Sequence, residues 1–346
     1  MPSKELTIND MPMDVFEKIC ENLGDNYQEK YWFTFRHVSK SFRNAVDFWN
    51  PSEFRRIGLS STTRDISILF NGCRVSYIRK SKNSTGIKFH DHDSINQYGN
   101  FRDLAVDDLM SVLASPGGYE LEKLIISEKI DKRFAQRLSD EFTKLGANVD
   151  VNTVQLNPAR IMNPIPVNKI LNLFRSIEEI NISYSQDNDP ITQKDIKSII
   201  GKANRIEALK NAGMVKIDRS LMDSDSKLLI PRGLKIPNMT LAYGFLSDKS
   251  AFKIVGILLN SPHLKCCRIN TSSFLTKMEF DENLKELGAA NDPENRNAYK
   301  YRIPDFQEFF EIEIKRNNTF ITANFGDRTN RKELKSKLNR QERKER

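Results

Sequence analysis

The chain reads as an α/β protein. Three short helices lead into a β-hairpin region, and a run of helix–strand units then forms a solenoid. Three observations predict this. Residues 11–49 carry apolar positions at helical spacing, and residues 65–90 alternate apolar and polar around Asn71-Gly72. From about residue 105 the order helix, turn, strand then recurs without changing.

Residues 11–23 (Met-Pro-Met-Asp-Val-Phe-Glu-Lys-Ile-Cys-Glu-Asn-Leu) put Val15, Phe16, Ile19, Cys20 and Leu23 on one stripe of a helix. Pro12 suits the first turn, where its missing N–H costs nothing, and Asp14 and Glu17 lie near the positive end of the helix dipole. Gly24 stops the helix. A second apolar set follows at Tyr31, Trp32, Phe35, Val38, Phe42, Val46 and Trp49. Ser39 is placed to cap a helix over 40–49, because its hydroxyl can accept from free backbone N–H groups, and Pro51 ends the run. Helices this short make too small a body to bury so many apolar side chains alone. Either a partner covers part of the stripe or the rest of the chain does.

Met11-Pro12-x-x-Val15…Ile19…Leu23, followed by Phe35-Arg36-His37-Val38-Ser39-Lys40-Ser41-Phe42-Arg43, resembles an F-box over about 45 residues. Met11 stands where Leu is commoner, and Tyr27–Phe33 is more aromatic and polar than the usual Leu-rich second helix. The resemblance implies docking to a Skp-family adaptor and, through it, to a cullin-RING ubiquitin ligase. Carried over position by position, the adaptor-facing residues would be Met11, Pro12, Val15, Ile19, Val38 and Phe42.

Asp65–Phe70 and Arg74–Arg79 alternate as two strands joined at Asn71-Gly72, a pair that tolerates positive φ at both central positions of a type I′ turn. Thr85–His90 suggests a third strand, and Asp91–Asn100 reads as a loop. Beyond it, apolar helical sets lead to strands centred near residues 125, 155, 181, 215 and 268. The wide last gap predicts a further unit around Met239–Leu246. Leu-Ala-Ser-Pro at 113–116 and Leu-Asn-Ser-Pro at 259–262 nearly align. Irregular units of this length fit a degenerate leucine-rich-repeat-like solenoid, with strands on the concave face; an ordinary α/β domain without a true period is the other reading. Phe309–Arg316 and Thr319–Phe325 read as a closing strand pair. Behind an F-box and an early hairpin, this layout resembles the FTH-type region of the large nematode F-box families, which implies that residues 60–325 select the protein to be ubiquitinated.

The formal charge is +8, but Asp327–Arg346 holds nine Lys/Arg against four Asp/Glu, so this tail carries +5 and the rest of the chain only +3. The tail has no aromatic residue for base stacking, so nucleic acid is not the expected partner. Cys20, Cys73, Cys266 and Cys267 show no paired spacing, which suits a reducing compartment, cytoplasm or nucleus. No apolar run reaches the roughly 18 residues of a membrane span, and Met1–Leu6 does not open like a signal peptide. His90-Asp-His92 offers two imidazoles on one strand face, but a closed metal site needs four ligands, so a polar loop is expected. His37 is read as packing or solvation, and Asp107-Asp108 and Glu178-Glu179 as solvated faces. Gly-x-Ser-x-Gly and Gly-Lys-Ser/Thr are absent. The expectation is therefore a non-enzyme with no cofactor, no metal and no catalytic residue.

The organisation expected is an F-box at 8–52, a linker and hairpin region at 60–95, a leucine-rich-repeat-like and FTH-like region at 100–325, and a basic tail at 327–346. The function expected is that of a substrate-recognition adaptor of an SCF-type ubiquitin ligase with a protein substrate. The alternative is a repeat scaffold or nucleic-acid-associated protein that uses the tail.

Overall fold

Alternating burial over residues 65–79 marks the centre of an antiparallel run of strands. The computed structural model describes residues 11–23, 31–48, 54–89, 94–114, 118–126, 129–158, 160–182, 198, 200–218, 235–242, 266–271, 282, 285–286, 288–291, 293, 298–302, 309–315 and 319–325. The chain divides into two compact units, Met1–Leu156 with Arg160–Glu178, and Asn157–Ala159 with Glu179–Arg346.

In the first unit, helices α1 (Met13–Leu23), α2 (Trp32–Arg36) and α3 (Lys40–Phe48) precede an antiparallel meander. Its strands are β1 (Arg56–Ser61), β2 (Asp65–Phe70), β3 (Cys73–Arg79), β4 (Ser84–Phe89) and β5 (Ile95–Tyr98). Then come α4 (Phe101–Leu113), β6 (Tyr119–Ile126), α5 (Lys132–Leu145), β7 (Val149–Leu156) and α6 (Pro164–Leu171). Strand β6 pairs in parallel with β1 on one side and β7 on the other. The segments expected as F-box, hairpin region and first repeats thus share one compact unit.

At the β2–β3 turn Asn71 has φ 48° and Gly72 φ 111°, the two positive values a type I′ turn requires. Ile66, Ile68 and Phe70, then Val75 and Tyr77, then Ile87 and Phe89 are buried on one face. Helix α4 packs on β2, β3 and β4 through a buried face that includes Ala105, Leu109 and Val112. Side chains begin the helices as the sequence chemistry demands. Asn100 accepts from the Arg102 N–H (2.9 Å), Asp131 from Phe134 (3.1 Å) and Asn163 from Ile165 (3.0 Å). Gly146 closes α5 at φ 61°.

In this unit two strands went unread. Residues 95–98, expected within a loop, form β5. Its Ile-Asn-Gln-Tyr sequence lacks an apolar alternation and is held by its ladder to β4. Strand β1 was hidden by Gly58, where a Cβ would stand 3.0 Å from that of Leu69, so the glycine marks a close strand approach.

The second unit holds most of β8 (Ser176–Ile182), α7 (Ala208–Asn211), β9 (Met214–Asp218), β10 (Asn238–Ala242) and β11 (Cys266–Thr271). It continues with β12 (Ala289–Asn291), β13 (Ala298–Arg302), β14 (Phe309–Lys315) and β15 (Thr319–Phe325). Strands β8, β9, β10 and β11 pair in parallel, in chain order. Strands β15, β14, β13 and β12 continue antiparallel from β11, and β14–β15 is the expected closing pair. Strand β10 fills the wide gap the sequence left before 268.

A finer pattern runs through the parallel strands, apolar-x-x-apolar-x-apolar. Leu121, Leu124 and Ile126 are buried in β6 and pair with Val151, Val154 and Leu156, also buried, in β7. Ile180 and Ile182 of β8 pair with Val215 and Ile217 of β9, which pair in turn with Met239 and Leu241 of β10. The fold class is mixed α/β, with an extensive sheet and helices between its parallel strands.

Candidate functional site

The N-terminal helices are welded together by aromatic rings. Pro12 C=O accepts from the Phe16 N–H (3.1 Å) and so starts α1. Phe16 is buried and meets Phe42 of α3 edge-on, with ring centroids 5.3 Å apart, and Phe35 of α2 at 5.8 Å. Ser39 caps α3 as its sequence position predicts, its hydroxyl oxygen accepting from the Phe42 N–H at 3.2 Å.

This packing sorts the six residues singled out from sequence. Val15 and Ile19, one helical turn apart on α1, are 41% and 38% exposed, and Val38, between α2 and α3, is 46% exposed. Pro12 is exposed and Met11 half-buried. Phe42 is 6% exposed and packs its ring on Phe16 and Phe35, beneath the exposed side chains. The apolar stripe of α1 thus divides. Phe16 faces inward, while Val15 and Ile19 face out as large aliphatic side chains with water as their neighbour.

Helix α2 anchors this surface to the meander. Trp32 and Phe33 are buried against Phe54 and Phe70, the Phe33 and Phe70 rings being 4.1 Å apart. Beside them lies a polar cluster centred on Asp108 of α4, whose side chain is fully buried. Its carboxylate accepts from the Arg36 guanidinium, from the Tyr77 hydroxyl, and from His37 Nε2 at 2.6 Å. Burial pushes the Asp108 carboxyl up, but His37, Arg36 and Tyr77 together outweigh it and hold the group below the usual carboxylate range. The Tyr77 phenol is raised well above its ordinary value, first by burial and then by the neighbouring Asp108 charge. On the other side of the corner, Gln97 Nε2 of β5 donates to His37 C=O at 2.6 Å.

The solvated reading of Asp107-Asp108 is therefore half right. Asp107 is exposed and accepts from Arg43 at 3.0 Å, whereas Asp108 is the buried hub. Sequence reasoning missed the hub because its partners lie 31 to 72 residues away in the chain. A carboxylate on the buried face of a helix beside another Asp was the available signal.

A groove of about 480 Å³ opens between α3, α4 and α5. Its rim is made of matched pairs, Arg43 with Asp107, Arg137 with Asp103 and Lys144 with Glu141, so it presents balanced charge. Of the other residues weighed from sequence, Cys73 and Glu179 are half-buried on their strands. His90, His92 and the tail at 327–346 lie outside the described residues. Among the described residues no group of three His, Cys, Asp or Glu side chains is placed to hold a metal, and no helix is long and apolar enough to cross a membrane.

No family model, no curated protein and no solved structure matches this chain.

Proposed function

We propose that this chain is a substrate-recognition adaptor of a cullin-RING ubiquitin ligase, docking a Skp-family adaptor through α1–α3 and a target protein through its strand–helix repeats. The observation that carries this reading is the exposure of three aliphatic side chains, Val15 and Ile19 one turn apart on α1 and Val38 between α2 and α3, on firmly packed helices. Exposed aliphatic side chains on a rigid support are what a protein partner covers. They coincide with the positions at which the F-box pattern expects adaptor contacts. The target-binding half of the reading is supported by the apolar-x-x-apolar-x-apolar strands, whose parallel stacking is the habit of leucine-rich-repeat solenoids.

Such a protein needs no chemistry of its own. It raises the effective concentration of the target near the charged ubiquitin-conjugating enzyme. Its intracellular partners would be the adaptor, the cullin behind it and the substrate.

Co-expression with a Skp-family adaptor followed by size-exclusion chromatography tests the proposal. The wild-type chain is expected to co-elute with the adaptor. Val15→Asp combined with Ile19→Asp is expected to abolish the complex while leaving the circular dichroism unchanged, since both side chains already face water. A complex that survives the double substitution would falsify the assignment.

A further inference from the structure

We infer that the open face of the β1–β4 meander is a docking surface for an acidic segment of a protein partner, one that carries aliphatic side chains among its carboxylates; as a statement of which targets are taken, this rests on the target-binding half of the reading above. Helices α2 and α4 occupy the opposite face of these strands, where Phe33 meets Phe70 and Asp108 holds the Tyr77 hydroxyl. Apart from Gly58 and Gly86, the strand residues that alternate with the buried ones are exposed or half-buried. Strand pairing lays them out in rows. One row runs Ile125, Gly58, Leu69, Arg74 across β6, β1, β2 and β3. The next runs Ser60, Ser67, Ser76, Lys88 across β1 to β4.

Each row joins a neutral floor to a cation. A Cβ at Gly58 would lie 3.0 Å from the Leu69 Cβ and 3.9 Å from the Ile125 Cβ, so these two half-buried aliphatics form one strip across the glycine. Beside the strip, the Ser67 and Ser76 hydroxyls are 2.9 Å apart. Arg74 and Lys88 end the two rows as diagonal neighbours on adjacent strands, about 7–8 Å apart. Both are exposed, and neither makes an ion pair among the described residues. Lys80 adds a third cation, its side chain lying over Gly86 with Cε 2.7 Å from where a Cβ would stand. Arg56 is matched by Glu122 at 2.7 Å, which leaves Asp65 as the carboxylate on these four strands to set against the three cations. Like charges held side by side repel, and a partner's carboxylates relieve that repulsion while its aliphatic side chains cover the Leu69–Ile125 strip. The two rows hold no aromatic ring on which a base could stack, so the charge favours a protein partner over a nucleic acid.

Fluorescence anisotropy with the full chain tests this. The probe is a labelled synthetic peptide with a central leucine pair flanked by glutamates. Its comparators are the same peptide with glutamine for every glutamate, the same peptide with serine for both leucines, and a labelled uridine oligonucleotide. The acidic leucine peptide is expected to bind about tenfold tighter than the glutamine peptide or the oligonucleotide, and several-fold tighter than the serine peptide. Arg74→Glu with Lys88→Glu is expected to weaken it by about tenfold or more, whereas Lys132→Glu with Arg133→Glu, the same change of charge on exposed residues of α5, leaves it unaltered. No binding by the wild type, or equal binding of the glutamine or serine peptide, would overturn the proposal. So would equal losses for the two double variants, which would report only attraction to a basic chain. An oligonucleotide that binds tighter than the peptide, and is lost on Arg74→Glu with Lys88→Glu, would give the face to nucleic acid and overturn it as well. Co-elution of the same proteins with the Skp-family adaptor separates the readings. A chain that takes the peptide but no adaptor keeps this surface and loses the ligase assignment, and the reverse result does the opposite.

Discussion

Asp108 has three donors and a fully buried carboxylate. Removing a carboxylate that neutralises a buried guanidinium leaves that charge with the longer Asp107 contact, at 3.8 Å, in a low-dielectric setting, which costs more than the ion pair ever contributed. Asp108→Ala is expected to destabilise the first unit by about 3–5 kcal/mol, read as a lower urea midpoint for that unit's transition. The same residue sets an acid limit. Its folded pKa lies below its unfolded one, so its stabilisation is complete above the ordinary carboxylate range, about pH 4, and is lost as pH falls through the lower folded value. Tyr77 sets the alkaline counterpart. Its phenol is raised in the fold, so its contribution is complete below about pH 10 and is lost as pH rises past that point. Thermal melts across pH should show both shoulders, with Asp108→Ala erasing the acid one and Tyr77→Phe the alkaline one.

At the scale of elements, the features readable in the sequence are those decided by neighbours in the chain. Asn71-Gly72 fixes its turn through the φ values of two consecutive residues, and Ser39 caps α3 through a hydroxyl three residues from its donor. Gly146 ends α5 for an equally local reason. Ser39→Ala is expected to cost about 1 kcal/mol by leaving the Phe42 N–H without its acceptor. Gly146→Ala should cost a similar amount, about 1 kcal/mol, for forcing a Cβ into a left-handed backbone. Denaturant titration of each variant checks both. Strands β1 and β5 escaped because each owes its existence to a partner strand rather than to its own pattern. Ile-Asn-Gln-Tyr becomes a strand where β4 presents a ladder, and Gly58 becomes one where Leu69 approaches closely. The inward or outward fate of Phe42 was illegible for the same reason, since it depends on where Phe16 lies across an inter-helix gap.

For the molecule as a whole, the N-terminal helices do not behave as a detachable module. Trp32 and Phe33 cover Phe54 and Phe70, and Arg36 and His37 complete the Asp108 cluster, so helices and meander share one core. A chain beginning at residue 53 would expose those rings and leave the buried carboxylate with Tyr77 alone. Such a truncation is expected to aggregate, or to lose the cooperative unfolding transition of the first unit, whereas the Val15/Ile19 double variant retains it. Comparing their calorimetric melts checks the contrast.

The spacing of buried residues along the parallel strands has a consequence for how such a protein can change over generations. In β6 and β7 the sheet is held by Leu121, Leu124 and Ile126 against Val151, Val154 and Leu156. Lys123, Ile125, Thr153 and Gln155, interleaved with them, are only half-buried. Those intervening positions can be exchanged with little effect on stability, so one scaffold is free to carry many different strand surfaces. Heritable variation at them would then leave folding untouched, which decouples the turnover of the surface from the survival of the fold.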